Sequence, residues 1–301
     1  MPVCDDAPKK ITLSWSKLKA YEACHKRSQL LQQGKKSKII DGRGFLPGNL
    51  ADSAMRTWLT RGEFDAGGMQ RLIPELWESW TGPEAEYRID WKGDPRKDQV
   101  AVVKQVVSAV NILEPILMEK VVPYSFKPEY RFTSTVGVPG LDGESVNIEL
   151  FGAVDVAVCI DEGRYGIYDL KISERADYLR STLGQLIFYD LAFKGHTGLN
   201  PVEHEFWAPM LPLQDKPKPA VIALDVTNEH RMQMISRIID YCHGVWAGDW
   251  ALTPDVNECY YCPVKHACPR WVNPVTKDEQ GKNRMSFYTP DHEVMESKNA
   301  N

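Results

Sequence analysis

The sequence lacks any long apolar run. Its longest apolar stretches, Ala101 to Val107 and Leu183 to Phe193, are interrupted by polar residues and are shorter than the roughly 20 residues that a membrane-spanning helix needs. The first ten residues contain four charged residues and no apolar segment, so they do not resemble a signal peptide. We therefore expect a cytoplasmic protein that does not span a membrane.

The sequence also lacks internal repeats and low-complexity blocks before its polar tail, which excludes a repeat architecture. Neither Gly34-Lys35 nor Gly42-Arg43 lies in a G-x-x-x-x-G-K-S/T phosphate-binding loop, so we expect no helicase motor in this chain. The 301 residues are 43% hydrophobic and 26% charged. This composition is typical of a globular protein.

The net charge of -5 argues by itself against a general nucleic-acid binder. The charge is unevenly distributed, however, because the segment from Lys9 to Arg43 contains ten Lys or Arg residues and two acidic residues. Such a segment could guide a phosphate backbone, and it is also typical of a solvated helix face. A second feature is needed to decide between these interpretations.

Seven cysteines, an odd number, are spread unevenly along the chain, and in a reducing compartment they indicate free thiols or metal ligands rather than disulfides. Three of them form the pattern Cys259-x-x-Cys262-x5-Cys268, which is ligand spacing for a metal ion or cluster. Zinc is one candidate, since His25 or His266 could complete a mixed site, and unligated thiols are another alternative. The cysteines without ligand spacing are Cys4, Cys159 and Cys242.

The apolar periodicity predicts several helices, then a group of strands, and then helices and strands in turn. The predicted helices are Ser14 or Ser16 to Leu31, Gly48 to Gly62, Met69 to Trp80, Gln99 to Lys120, Tyr178 to Lys194 and Asn228 to Trp246. The predicted strands are Glu129 to Phe132, Val146 to Ile160, Arg164 to Lys171, His204 to Pro209 and Ala220 to Val226. This order predicts an α/β fold.

Two consecutive predicted strands carry the most informative pattern. Apolar residues at alternate positions of the first strand predict that one face is buried and that Asp155 lies on the other face. The segment Asp161-Glu162-Gly163 predicts a three-residue hairpin loop. If Ile160 pairs with Arg164, then Asp155 lies directly opposite Asp169, with Cβ atoms roughly 4.5–5.5 Å apart.

Two carboxylates at that distance repel each other unless one is protonated or a cation lies between them. Lys171 projects from the same face as Asp169, because it lies two residues further along the strand. Oxygen ligands beside an ammonium group suit phosphodiester cleavage with Mg2+ or Mn2+. The spacing alone leaves one alternative open, an ordinary exposed pair of Asp169 and Lys171 that is unrelated to Asp155.

Three motifs follow one another in the chain, namely Gly152-x-x-Asp155, Asp169-x-Lys171 and Gln185-x-x-x-Tyr189. Their order and separation resemble the PD-(D/E)xK nuclease superfamily, in particular the RecB-like exonucleases. The last two residues lie on one helix face because they are four positions apart. The resemblance implies that the two aspartates bind a divalent metal ion, that the lysine positions water and phosphate, and that the glutamine and tyrosine steady the substrate.

The same resemblance points to further acidic residues. A glutamate on the strand before the first aspartate often belongs to the site in this family, and the best match is Glu129, with Glu149 as a weaker alternative. An upstream G-x-x-x-H segment usually supplies a histidine ligand, whereas this chain has Gly48 followed by Asp52. Asp52 is therefore a candidate oxygen ligand for the metal ion, and the loss of a nitrogen ligand favours harder cations.

The cysteine pattern extends the resemblance over nearly the whole chain. Cys24 and the segment before it resemble the opening of iron-sulfur RecB-like nucleases, which include the CRISPR-associated exonucleases and their phage-encoded relatives. In that subgroup one N-terminal and three C-terminal cysteines hold a 4Fe-4S cluster, which implies Cys24, Cys259, Cys262 and Cys268 as ligands. Such a cluster would join the N-terminal helix to the C-terminal segment.

These features predict one domain over residues 1–275, with a restriction-endonuclease-like mixed central sheet flanked by helices. Its parts are a helical region 1–125, a nuclease core 126–250 and a cluster-binding segment 251–275, followed by a flexible polar tail 276–301. The resemblance implies a DNA exonuclease that prefers single strands and the 5′ to 3′ direction, with some endonuclease activity. An inactive iron-sulfur DNA-binding adaptor is the alternative, and the resemblance also allows a homo-oligomer and partners from recombination or CRISPR adaptation.

Overall fold

The computed structural model describes residues 11–269, apart from residues 36–38, 87, 92, 174–178, 180–181, 216, 253–258 and 260–261, together with four short strands after residue 269. The chain divides into two compact units. The larger unit comprises Lys10–Trp15 and Lys38–Ile239, and the smaller unit includes Ser16–Ser37 and the chain from Asp240 onward. The predicted domain boundaries stay predictions, because much of the cluster-binding segment and tail lies outside the described residues.

A six-stranded mixed sheet forms the centre of the larger unit. The strands of this unit are β1 (Thr12–Ser14), β2 (Ile39–Asp41), β3 (Arg88–Asp90), β4 (Ser125–Pro139), β5 (Ser145–Asp161), β6 (Arg164–Leu170), β7 (Glu203–Trp207) and β8 (Val221–Ala223). The sheet has the order β1-β5-β6-β7-β8, and β4 pairs with β5. The pairs β1–β5 and β6–β7 are parallel and the other pairs are antiparallel, while β2 and β3 form a separate parallel pair.

Helices of the larger unit flank this sheet. They are α3 (Gly42–Arg61), α4 (Gly68–Thr81), α5 (Pro95–Lys120), α6 (Gly184–Thr197) and most of α7 (Asn228–Trp246), while α1 (Trp15–Ala23) and α2 (His25–Gln32) lie almost entirely in the smaller unit. Helices α3, α4 and α5 share one apolar core with residues of β5, β6 and β7. Helix α6 packs on the sheet through Phe193, whose ring lies 5.6 Å from that of Phe132 and 5.5 Å from that of Tyr165. The predicted mixed sheet flanked by helices is confirmed.

Helix α5 shows how the sequence specifies this core. The side chain of Asp94 accepts a hydrogen bond from the backbone N–H of Arg96 at 3.0 Å, and Pro95 occupies the first helical position, where no N–H partner is needed. In the described part of the chain, α5 alone has the length and apolar composition to cross a membrane. Its place in the core accounts for that composition, because the buried positions recur every three or four residues, at Val102, Val106, Val110, Leu113 and Leu117.

Most predicted helices match the structure in position, and α7 has the predicted bounds. Helix α3 begins at Gly42 instead of the predicted Gly48. Helix α6 is described from Gly184, and the predicted start at Tyr178 lies outside the described residues.

The predicted N-terminal helix is two helices in the structure. Helix α1 ends at Ala23 and α2 begins at His25, because the backbone of Cys24 is extended. Within the smaller unit, the N–H of Lys26 donates to the carbonyl of Ala251 at 3.0 Å, which satisfies one of the N–H groups that a helix start leaves unpaired. The prediction of one continuous helix was therefore wrong at Cys24.

The β5–β6 hairpin has the predicted register and a different loop. Arg164 lies opposite Asp161 rather than the predicted Ile160, which lies in a bulge. The loop thus contains two residues instead of three, and its Gly163 has a φ of 80°, which glycine adopts readily. The bulge compensates for the shorter loop, so the pairs that follow have the predicted register.

A buried ion cluster joins α6, β7 and α7 in the larger unit. Asp190 is completely buried, and its carboxylate lies 2.9 Å from Nε2 of His204 and 2.6 Å from Nε of Arg231. Burial alone would raise the pKa of Asp190, but the hydrogen bonds and charges of these two partners lower it. The carboxylate therefore stays ionised and orders three elements around the sheet.

Replacing Asp190 with Ala should destabilise the protein strongly, by about 3–5 kcal/mol, because His204 and Arg231 lose the charge that compensates their burial. The measurement is urea unfolding at neutral pH, with Glu75→Ala as the control. Glu75 pairs with Arg61 at the surface, so its loss should change the free energy of unfolding by at most about 1 kcal/mol. Equal effects of the two substitutions would contradict this role of Asp190.

Candidate active site

Asp155 and Asp169 lie on the adjacent strands β5 and β6. Val156 pairs with Tyr168, so the next opposed positions along the hairpin are the two aspartates. The carboxylate Oδ2 of Asp155 accepts a hydrogen bond from the backbone N–H of Leu170 at 2.7 Å. The structure thus brings the two aspartates together as the register predicted.

Lys171 follows the last residue of β6 and forms an ion pair with Asp169. Its backbone N–H donates to the carbonyl of Trp207 at 2.8 Å, and its Nζ lies 5.2 Å from the ring centre of Phe206. The backbone hydrogen bond and the aromatic ring together fix the direction in which the ammonium group points. Asp169 and Lys171 therefore lie side by side at the end of β6.

The Gln185–Tyr189 motif on α6 contacts the same aspartate. The amide of Gln185 donates to Oδ1 of Asp169 at 3.1 Å and to the hydroxyl oxygen of Tyr189 at 2.8 Å. Burial and the charge of Asp169 raise the pKa of Tyr189 far above its usual value, so its phenol remains neutral. The amide nitrogen of Gln185 thus makes both hydrogen bonds, and it binds the carboxylate oxygen of Asp169 that Lys171 does not bind.

A second group of charges comes from α3 and β4. The guanidinium of Arg56 lies 2.6 Å from Oδ2 of Asp52 and 2.8 Å from Oε2 of Glu129, and Glu129 also pairs with Arg131. Arg56 was not predicted as a site residue. A signal for it existed in the sequence, because Arg56 lies four positions after Asp52 and therefore on the same helix face.

The backbone of Glu129 is unusual. Its φ is 48°, and Glu129 is the one non-glycine residue with positive φ in the described part of the chain. In a regular strand Phe126 and Phe132 would lie on the same face, yet Phe126 packs against the core of α3 and α5 while Phe132 packs against Phe193 of α6. The left-handed residue thus reverses the faces of β4, at the position opposite Asp155.

The glycine of the Gly152-x-x-Asp155 motif has a packing role. A Cβ atom at Gly152 would lie 2.1 Å from the ring of Phe132 on β4, so a side chain at this position would displace that ring. Glu149, the weaker alternative to Glu129, lies elsewhere, because it accepts a hydrogen bond from Thr12 at 3.2 Å and its backbone pairs with β1. Of the two glutamates, the structure brings only Glu129 to the aspartates.

Burial and neighbouring charges shift the acidic groups of this cluster. Burial raises the pKa of Asp155 well above its usual value, and the charges of Asp169 and Asp52 add to the effect. Burial also raises the pKa of Asp169, although the neighbouring lysine opposes the shift. The pKa of Asp52 is raised by burial in spite of Arg56, and the charge of Asp169 contributes. The three aspartates are therefore close enough to repel one another.

The cluster has the donor chemistry of a hard-metal site. Asp52, Asp155 and Asp169 offer carboxylate oxygens, the ligands that Mg2+ and Mn2+ prefer, and Oδ1 of Asp52 is buried without a hydrogen-bond partner. Across the described residues, no three His, Cys, Asp or Glu side chains are arranged to hold a metal ion. Asp169 and Asp52 instead direct oxygens at Lys171 and Arg56, whose charges offset part of the repulsion.

The four predicted cluster cysteines belong to the smaller unit, and none of the four forms a disulfide bond. Sγ of Cys24 lies 4.0 Å from the carbonyl oxygen of Ala251. The backbone N–H of Cys262 donates to the carbonyl of Cys259 at 3.2 Å, as in a tight turn. Burial raises the pKa of Cys262, and the charges of Cys268 and Cys24 add to the effect. The thiols of Cys24 and Cys268 therefore both lie near that of Cys262.

His25, the first candidate for a fourth zinc ligand, has other partners in the smaller unit. Its Nδ1 lies 3.0 Å from Oδ2 of Asp249, and its ring stacks on that of Tyr21 with the ring centres 3.9 Å apart. These contacts hold the histidine in a fixed orientation within its own helix region.

The fold and the paired strands define a class of protein, since a mixed sheet flanked by helices, with two aspartates and a lysine on adjacent strands, is the arrangement of restriction-endonuclease-like nucleases. The profile of the PD-(D/E)XK nuclease superfamily matches residues 12–269, and the chain belongs to this superfamily. Its members are in general nucleases that hydrolyse phosphodiester bonds with Mg2+ or Mn2+.

A search of curated proteins found no match. Among solved structures, the chain is similar to the crystal structure of SSO0001, with 14% sequence identity and a TM-score of 0.34, covering 84% of this chain and 94% of the other.

Replacing Asp155 with Asn should abolish activity and stabilise the metal-free protein. The pKa of Asp155 is raised in the folded state, so the proton is held more tightly there than in the unfolded chain, and stability is lost as the pH rises above the usual carboxyl range. The neutral amide removes this cost, and we expect a Tm about 2–4 °C higher at pH 8 in EDTA, for a gain of about 1 kcal/mol.

The control for this experiment is Asp161→Asn, since Asp161 lies on the same strand in an exposed pair with Arg164. Mn2+ should raise the Tm of the wild-type and control proteins but not that of the Asp155→Asn variant. A lower Tm of the Asp155→Asn variant at pH 8 in EDTA would show that the ionised carboxylate stabilises the fold.

Proposed function

We propose that the protein is a metal-dependent deoxyribonuclease that degrades single-stranded DNA from its ends, with a 5′ to 3′ preference. The observation that carries the proposal is the convergence of Asp155, Asp169 and Lys171 at the end of the β5–β6 hairpin. Membership of the superfamily supports phosphodiester hydrolysis. The order of the three motifs, which resembles that of RecB-like exonucleases, supports DNA ends as the substrate.

Asp155 and Asp169, with Asp52, would hold the divalent cation through their carboxylate oxygens. When bound, the cation polarises the scissile phosphate and activates a water molecule. The protein's own contribution is a set of buried carboxylates whose ionised form is unfavourable without a compensating charge. Because the carboxylates must lose their protons to bind a metal ion, binding should release protons and strengthen as the pH rises.

Lys171 and the motif on α6 have separate tasks in this mechanism. The side chain of Lys171 is 23% exposed, so its ammonium group can face both Asp169 and a phosphate oxygen and stabilise negative charge as it develops there. Gln185 fixes the other oxygen of Asp169. The neutral hydroxyl of Tyr189 accepts a hydrogen bond from the glutamine and so holds its amide in one orientation.

Replacing Lys171 with Ala should reduce DNA cleavage by about 10²–10³-fold, because one preorganised positive charge at the phosphate is lost. The assay follows end-labelled single- and double-stranded DNA, labelled at either end, with Mg2+, Mn2+ or EDTA. The matched control is Lys194→Ala, an exposed lysine on α6 outside the site, which should cleave like the wild type.

The outcomes of this assay separate the parts of the proposal. If DNA labelled at its 5′ end releases the label in short products sooner than DNA labelled at its 3′ end, the result supports the stated direction. The reverse order would overturn it. Cleavage that persists in EDTA, or that proceeds at the wild-type rate in the Lys171→Ala variant, would overturn the assigned chemistry. A folded protein that binds single-stranded DNA without cleaving it would favour the inactive adaptor.

We further propose that Cys24, Cys259, Cys262 and Cys268 hold a 4Fe-4S cluster with a structural role. The closeness of Cys24 and Cys268 to Cys262 supports this proposal, as does the break between α1 and α2 at Cys24. When bound, such a cluster would tie the C-terminal cysteine segment to the start of α2 by coordinate bonds. It would hold the smaller unit together and take no part in cleavage.

Anaerobically purified protein should contain iron and acid-labile sulfide in equal amounts, and Cys262→Ser should lose both, because one thiolate ligand is removed. The control is Cys159→Ser, at a cysteine in the larger unit without ligand spacing, which should keep the wild-type content. Metal analysis of both variants and the wild type decides the result. Zinc in place of iron would overturn the cluster in favour of a zinc site.

A further inference from the structure

Arg56 connects two elements of the larger unit at the acidic cluster. Its Nη2 lies 2.6 Å from Oδ2 of Asp52 on α3, and its Nη1 lies 2.8 Å from Oε2 of Glu129 on β4. Each of its two terminal nitrogens thus binds a different carboxylate. A planar guanidinium that makes two such bonds has little freedom to rotate, so it fixes the separation of α3 and β4 at this point.

This contact leaves the two oxygens of Asp52 in different environments. Oδ2 is bound by Arg56, whereas Oδ1 is buried and has no hydrogen-bond partner. The charge of Asp52 acts on Asp155 as well as on Asp169, so this carboxylate belongs to the same cluster as the pair on the hairpin. A buried carboxylate oxygen without a partner is unfavourable unless a cation or a water molecule reaches it.

We propose that Arg56 is a positioning residue, which holds Asp52 by one carboxylate oxygen and presents the other oxygen to the divalent cation. The inference rests on the proposed function, because it takes the acidic cluster as the metal site. Arg56 would act through Asp52 without touching the metal ion. Its second bond, to Glu129, anchors the guanidinium to the strand that lies beside Asp155, so one side chain links Asp52 to the strand next to the hairpin.

The chain offers an internal comparison for this role. Arg61 lies on the same helix α3 and also binds a carboxylate with its guanidinium, that of Glu75 on α4, at 3.0 Å. Arg61 and Glu75 are 45% and 65% exposed, whereas Arg56 and Asp52 are 31% and 26% exposed. Both pairs consist of an arginine on α3 and a carboxylate. Of the two, the pair formed by Arg56 adjoins the acidic cluster and the pair formed by Arg61 does not.

The test measures Mn2+ binding by electron paramagnetic resonance, with the full chain and without DNA. Residues that orient a metal ligand typically contribute about 10–100-fold to metal affinity, so Arg56→Met should weaken Mn2+ binding by about that factor. Arg56→Lys should restore part of the affinity, because an ammonium group can bind one of the two carboxylates. Arg61→Met should bind Mn2+ like the wild type.

A double substitution tests whether Arg56 acts through Asp52. In an Asp52→Ala background, Arg56→Met should cause no further loss of Mn2+ affinity, because the carboxylate that it orients is absent. An additional loss of the same size as in the wild-type background would overturn the positioning role. Melting curves in EDTA report whether each variant is folded, and if Arg56→Met is not, Arg56→Lys and Arg56→Gln provide the same comparison.

The failures of the two proposals are distinguishable. If the wild type binds Mn2+ and Arg56→Met binds it equally well, or if Arg61→Met loses affinity to the same extent, the role of Arg56 is overturned while the nuclease proposal stands. Tighter binding by Arg56→Met would show that Arg56 competes with the cation, which also overturns the role. If the folded wild type binds no Mn2+, the metal site itself is wrong, and both proposals fall.

Discussion

The repulsion between Asp155 and Asp169 is the constraint on which the site depends. Two buried carboxylates on adjacent strands are unfavourable in any protein, and a fold can retain them only where positive charge is built in beside them. Here the hairpin register forces the carboxylates together, and Lys171, from the same strand end, supplies the first compensating charge. The carboxylate pair and the lysine therefore both result from the pairing of two adjacent strands.

The rest of the charge balance comes from elements distant in sequence. Helix α3 adds a third aspartate but also Arg56, and β4 adds Glu129 together with Arg131. Each of the other acidic groups forms an ion pair with a basic side chain, whereas Asp155 is bound by a backbone N–H and shares the charge of Lys171 with Asp169. This leaves the cluster short of positive charge around Asp155, and a divalent cation fits that deficit.

Local patterns in the sequence predicted much of this arrangement. Alternation on β5 and the spacing of Asp169 and Lys171 predicted which strand face each side chain occupies. The predicted register was correct although the predicted loop was one residue too long, because the bulge at Ile160 compensates for the difference. The unpredicted parts depend on tertiary packing. Nothing in a single strand pattern reveals that Glu129 has a left-handed backbone, and the partner of Arg56 on β4 lies 73 residues further along the chain, from position 56 to position 129.

The reversal of β4 at Glu129 has a consequence for how the polar site fits into an apolar fold. Before this residue the strand's aromatic side chain joins one hydrophobic layer, and after it the aromatic side chain joins the other. The acidic groups lie at the point where β4 passes from one of these layers to the other. The protein can thus place a group of charged side chains between two apolar layers without inserting any of them into either layer.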